Sequence, residues 1–153
     1  MERKTKIIFV CHGNICRSPM AEFIFKCLIN ELGLLDKFDI SSRALSYEEI
    51  GNDIYPPIKR VLIKNNIPFS KHKASKLTLD EVNNADEVIL MDSYNEMRFK
   101  NEFPHAKNAK KLLFYSNSNA DVSDPWYSER YDECFEIIYY GIKNYIKYLL
   151  NTK

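Results

Sequence analysis

The chain has 153 residues, 45% of them hydrophobic, which suits one domain with a core of ordinary size. Its 22 basic and 21 acidic side chains nearly cancel and are interspersed, so no polyanion-binding tail points to nucleic acid as a partner. The charged start Glu2-Arg3-Lys4-Thr5-Lys6 is followed by only four apolar residues, too few for a signal peptide or a membrane span. The expectation is a cytoplasmic monomer without membrane attachment, whose cysteines, Cys11, Cys16, Cys27 and Cys134, are reduced thiols.

Lys6 to Val10 is a β-branched and aromatic run that reads as a buried strand ending at Cys11. From Pro19, apolar residues recur at three and four (Met20, Phe23, Ile24, Cys27, Leu28, Leu32). With Ser18 or Arg17 at the N-cap, Pro19 near N1 and Gly33 at the stop, this predicts an amphipathic helix. Phe38 to Ser42 is a second strand. Asp53 to Asn65 reads as a helix with Ile54, Ile58, Val61 and Leu62 inward, stopped by Asn66-Ile67-Pro68. Thr78 to Asn83 is a short helix with a Thr78/Glu81 capping box. Glu87 to Met91 is a third strand, Ser93 to Asn101 a helix, and Lys111 to Tyr115 a fourth strand followed by the polar loop Ser116 to Ser123. The last helix carries Phe135, Ile138, Ile142, Tyr145 and Leu149. Strands alternating with helices predict right-handed crossovers and an α/β fold: a four-stranded parallel sheet flanked by helices on both faces, a flavodoxin-like doubly wound single domain over residues 1–153. Ligands in such sheets bind beyond the carboxyl ends of the strands.

The loop after the first strand carries the chemistry. A strand, a tight turn and a helix start converge backbone N–H groups on one point, where orphan donors and the helix dipole favour an anion. Gly13 permits a positive φ or a close backbone approach, and Asn14 tolerates the left-handed region. Arg17 brings a planar fork that matches two phosphate oxygens. A cysteine sulfur pointing into this cradle is stabilised as thiolate, so Cys11 reads as a nucleophile that attacks phosphorus while His12, Gly13, Asn14, Ile15, Cys16 and Arg17 hold the phosphoryl oxygens. Cys27 and Cys134 fall on apolar helix faces and read as core residues.

Val10 to Pro19 reads V-C-H-G-N-I-C-R-S-P. It resembles the signature of the low-molecular-weight protein tyrosine phosphatases, V-C-x-G-N-I-C-R-S-P, without a gap. Asp124-Pro125-Trp126-Tyr127 and Met91-Asp92-Ser93-Tyr94-Asn95 resemble two further motifs of that family. The resemblance covers nearly the whole chain and implies Cys11 as nucleophile, Arg17 as phosphate clamp and Asp124 as general acid and base. It also implies that Ser18 donates to the Cys11 sulfur, that Asn14, Ser42 and His72 form a polar network beneath the loop, and that Asp92 tethers the site. Ser18 and Asp92 equally suit helix caps, Ser42 a strand end and His72 a solvated loop. In the family a cysteine at Cys16 can form a reversible disulfide with the nucleophile; a space-filling role is the alternative. Trp126, Tyr127 and Tyr47 are expected to frame the pocket, although the ungapped alignment puts Glu48 where the family commonly has an aromatic.

The activity so implied is hydrolysis of aryl phosphomonoesters, phosphotyrosine in a protein above all, with inorganic phosphate as product and with no cofactor and no metal. Proline at 125 selects Asp124 over Asp121 as the acid, because it confines the preceding residue to extended conformations. Three alternatives compete. A thioredoxin-coupled arsenate reductase of this fold needs further cysteines near residues 80 to 90, and Thr78 to Asp92 has none. A protein-arginine phosphatase typically has threonine at the position of Ile15. A catalytically inactive phosphate-binding module would lack the nucleophile or the acid, and both are present.

Overall fold

In the computed structural model, which describes residues 3–151, the strands form one parallel sheet in the order β2-β1-β3-β4. The central strand β1 (Thr5–Cys11) pairs with β2 (Phe38–Ala44) from Thr5 against Phe38 to Cys11 against Ala44, and with β3 (Glu87–Leu90) from Ile7 against Glu87 to Val10 against Leu90. Parallel neighbours need crossover connections. Here α1 (Arg17–Glu31) joins β1 to β2, α2 (Pro56–Lys64) and α3 (Leu79–Asn84) lie between β2 and β3, and α4 (Ser93–Glu102) leads to the edge strand β4 (Ala109–Lys111). Two further helices, α5 (Pro125–Ser128) and α6 (Tyr131–Asn151), complete the chain. Strand order changes direction between β1 and β3, so the crevice of a doubly wound sheet opens at the carboxyl end of β1.

The pleat divides the core. Ile7, Phe9 and Cys11 pack with Ile24 and Phe25 of α1 and Ile142 and Tyr145 of α6. Ile8 and Val10 pack on the other face with Val82, Val88, Leu90 and Phe99. Side chains alternate across a strand, so the parity that buries Ile7 and Phe9 also turns Cys11 toward α1. The first half of α1 is buried all round, from Arg17 to Phe25, which fixes the helix start below the loop rather than leaving it to fray.

The expected capping box is present: Thr78 Oγ1 accepts the Glu81 N–H at 3.2 Å and Glu81 Oε1 accepts the Thr78 N–H at 3.1 Å. Several boundaries shift by one or two residues, α1 starting at Arg17 with Cys16 as its N-cap, and three departures from the sequence reading are larger. α2 starts at Pro56, not Asp53: the proline keeps Tyr55 out of the helix (φ −57°, ψ 131°), and the Asp53 carboxylate accepts the Ile54 and His72 N–H groups (2.7 and 3.1 Å); Ile54 is buried even so. The fourth strand is Ala109–Lys111, and Leu112–Ser116 winds into a 3₁₀ turn instead of continuing it. Leu112 and Tyr115 turn toward α6, while Phe114 stays half exposed: Leu112 is fully buried, and the Tyr115 ring lies 4.5 Å from that of Tyr145. The loop before α6 contains α5, which the sequence reading left out. Among the described residues, no helix is long and apolar enough to cross a membrane.

Candidate active site

The loop between β1 and α1 is built around Asn14, whose φ of 61° puts it in the left-handed region that asparagine tolerates. Its buried side chain is engaged at both ends: Nδ2 donates to Ser18 Oγ at 2.7 Å, and Oδ1 accepts the Ser75 N–H at 3.1 Å. His72 Nε2 donates to the Asn14 carbonyl at 2.7 Å, so His72 does sit beneath the loop. Gly13 serves close approach rather than positive φ, since a Cβ there would lie 3.3 Å from Glu49 Cγ. Cys11 is buried, and its thiol donates to Ser18 Oγ at 3.1 Å.

Arg17 is 2% exposed, an unusual place for a guanidinium. Burial opposes its charge, but Cys11, Asp124 and Asp92 outweigh that and raise its pKa above the ordinary value. Nη1 donates to Asp92 Oδ2 (2.6 Å) and to the Val122 carbonyl (2.8 Å). Asp92 is itself fixed as the N-cap of α4, accepting the Asn95 N–H at 2.7 Å, so its two suggested roles coexist. Asp124 Oδ2 lies 3.4 Å from Arg17 Nη2. Asp124 is extended (φ −80°, ψ 113°), as the following proline demands, and caps α5 by accepting the Trp126 N–H at 3.0 Å. Asp121 is engaged elsewhere. Partial burial opposes it, but Lys111 and Ser93, both at hydrogen-bond distance, hold its carboxyl below the usual range.

These groups meet in a cavity of about 170 Å³. Cys11, Ile15, Cys16 and Arg17 line it together with Asp124, Trp126 and Tyr127; His12, Gly13, Glu48 and Glu49 complete the lining. Trp126 is half exposed and packs on Tyr55, ring centres 4.8 Å apart, while Tyr55 donates its N–H to the Ile15 carbonyl at 2.9 Å. Tyr55 was not anticipated; an aromatic just before Pro56 reads only as helix punctuation.

Two expected residues are not where the sequence reading put them. Tyr47 does not line the cavity: it is 75% exposed, with Lys76 Nζ 5.6 Å from its ring, and Glu48 and Glu49 occupy that part of the lining instead. Ser42 makes no bond to the loop. Its hydroxyl donates to Glu22 Oε1 at 2.6 Å, and Ser75 supplies the contact to Asn14. Burial, and then the neighbouring Cys11, pushes the Cys16 thiol well above its ordinary range; burial likewise pushes Cys134 up to about 12. Cys134 is a core residue, as expected, and Cys27 is half-buried against the same core.

A thiol-bearing loop at the carboxyl end of the central strand, with a buried arginine behind it and a loop carboxylate at its mouth, is the plan of a small cysteine-dependent phosphatase. The model of the low molecular weight phosphotyrosine protein phosphatase family matches residues 6–153, and the chain belongs to that family. It is 35% identical to the low molecular weight phosphotyrosine protein phosphatase of Schizosaccharomyces pombe, over 96% of this chain and 98% of the relative. The crystal structure of YfkJ from Bacillus subtilis superposes with a TM-score of 0.94 at 30% identity, over 99% of this chain and 98% of that one. The YwlE arginine phosphatase from Geobacillus stearothermophilus superposes with a TM-score of 0.84 at 27% identity, covering 97% and 94%.

Proposed function

We propose that the chain, as one domain over residues 1–153, hydrolyses phosphotyrosine in proteins, or another aryl phosphomonoester, through a phosphocysteine at Cys11. The observation that carries this reading is the convergence of Cys11, Arg17 and Asp124 on one cavity. In the first step the Cys11 thiolate forms the S–P bond as the P–O bond to the phenol breaks, and Asp124 gives its proton to the leaving oxygen. The loop N–H groups and Arg17 hold the equatorial oxygens through both steps. In the second step Asp124 takes a proton from water, the water oxygen displaces sulfur, and inorganic phosphate leaves. Ser18, which accepts from the neutral thiol at 3.1 Å, reverses direction and donates when the sulfur is anionic. Asp92 and Val122 hold the Arg17 fork in place before substrate arrives, and Asn14 and His72 do the same for the loop.

Ile15, buried at the cavity wall, offers hydrocarbon to a phenyl ring, and Trp126 offers an aromatic face. That supports an aryl substrate over the more polar phosphoguanidinium group. The loop donors and Arg17 supply the positive potential, so the reading invokes no cofactor; it keeps a cytoplasmic monomer as its setting. The test is turnover of para-nitrophenyl phosphate and of phosphoarginine by wild type and Cys11→Ser. Wild type is expected to hydrolyse the aryl ester and to yield an alkali-stable, acid-labile phosphoenzyme on brief quench, and the variant is expected to lose turnover and that acid-labile adduct. Activity retained by Cys11→Ser, or a preference for phosphoarginine, would overturn the assignment.

A further inference from the structure

The cavity lining includes carboxylates for which the chemistry above has no use. Glu48 and Glu49 follow β2 on the segment where an aromatic wall was expected, and both line the cavity that holds Cys11 and Arg17. Neither is loosely placed. The Glu48 carboxylate pairs with Nε2 of His12, the residue after the nucleophile, and its N–H reaches Ser46 Oγ at 3.4 Å. Ser46 in turn donates from Oγ and from N to the His12 carbonyl, at 2.9 and 3.1 Å, so this segment is bonded to the phosphate loop. Glu49 lies with its stem against Gly13, its Cγ 3.3 Å from where a Cβ would stand. Among the described residues no hydrogen bond or ion pair engages the Glu49 carboxylate.

The charge balance of the lining follows. Arg17 lies buried against Asp92 and Asp124, and Glu48 is paired with His12, so Glu49 is the acid of the cavity lining whose carboxylate stays free to meet a substrate. An anionic residue next to the phosphotyrosine meets like charge there, and a cationic one meets opposite charge. We propose that Glu49, with Glu48 beside it, is a specificity determinant that favours phosphotyrosine flanked by lysine or arginine and rejects phosphotyrosine flanked by aspartate or glutamate. This rests on the phosphotyrosine reading and adds the sequence context of the substrate.

The experiment compares phosphotyrosine peptides of equal length flanked by lysine, alanine or aspartate, together with para-nitrophenyl phosphate. They are assayed on wild type and on Glu48→Gln/Glu49→Gln, side chains near the surface whose replacement leaves the core untouched. In wild type kcat/KM for the lysine peptide should exceed that for the aspartate peptide by about five- to tenfold at low ionic strength, as expected for exposed charge pairs. The ratio should shrink as salt is raised and approach one in the double variant. A ratio unchanged by the double substitution, or an aspartate peptide that is the better substrate, overturns the inference. If para-nitrophenyl phosphate is turned over while the peptides are equivalent, the inference alone fails. If wild type processes neither, the phosphatase reading fails and takes the inference with it.

Discussion

Asp124 is the residue whose two oxygens do different work. Oδ1 is committed to the Trp126 N–H and fixes the side chain, which leaves Oδ2, 3.4 Å from Arg17, to face the cavity. A loop carboxylate positioned this way should protonate the leaving phenolate, so Asp124→Asn is expected to lower kcat by about 10²- to 10⁴-fold for a poor leaving group. The loss should be much smaller where the leaving group is already acidic. Asp121, spent on Lys111 and Ser93, should change kcat little when replaced by asparagine. The measurement is kcat for both variants across aryl phosphates of graded leaving-group pKa. A flat dependence for Asp124→Asn, or a large defect for Asp121→Asn, would mean that the acid is misassigned. The proline that made Asp124 readable in the sequence acts locally, on the backbone of one neighbour. The displacement of Tyr47 was not readable, because which of Tyr47, Glu48 and Glu49 faces inward depends on how their segment bonds to His12, a contact between distant parts of the chain.

At the scale of elements, β1, the loop and α1 were legible because their signals are local: an apolar run, an asparagine that takes a positive φ, and a helix start bearing arginine and proline. β4 was not. Leu112-Leu113-Phe114-Tyr115 has the composition of a buried strand, yet α6 competes for Leu112, Leu113 and Tyr115 and wins. Gly141 makes that possible, since a Cβ there would stand 3.0 Å from Leu112 Cδ2 and 3.1 Å from its Cγ. Glycine inside a helix ordinarily costs stability, and valine would recover a few tenths of a kcal/mol of helix propensity. Here the overpacking should dominate. Gly141→Val is expected to destabilise by about 1–3 kcal/mol, measured as a fall in the urea midpoint with little change in slope. A midpoint equal to or above wild type would show that the 3₁₀ turn yields and that the close contact does not set its path.

The whole molecule is held partly by carboxylates whose charge the fold favours. Arg3, opposed only by minor burial, and the Lys6 N–H draw the Asp86 carboxyl below the usual range; Lys59 and the Ile54 and His72 N–H groups do so for Asp53, and Lys111 and Ser93 for Asp121. A carboxylate whose folded pKa is depressed adds stability that is fully present above its unfolded value of about 3.9 and lost as pH falls through the folded value. The urea midpoint should therefore vary little through these groups between neutral pH and about pH 5, and decline below about pH 4. Asp53→Asn should flatten part of that acid limb. A limb of the same steepness in the variant would remove Asp53 from the account. These pairs are largely exposed, so each contributes little singly and high salt should weaken the effect.

The tether of Arg17 has a consequence for how the protein is made. The complete C-x₅-R loop lies in the first eighteen residues, but the carboxylate that orients its arginine follows β3, the carbonyl that shares the arginine comes from Val122, and the acid follows two residues later. A chain growing from its N-terminus thus carries Cys11 and Arg17, the proposed nucleophile and clamp, long before it has the groups that hold Arg17 in place. The Arg17 contacts are complete only when β3 is paired with β1 and the segment beyond β4 lies against the loop. On the proposed mechanism a chain that stops short of Asp124 would hold its cysteine and arginine without their partners, and a working cavity would report that residues 92 and 122–124 have reached their places.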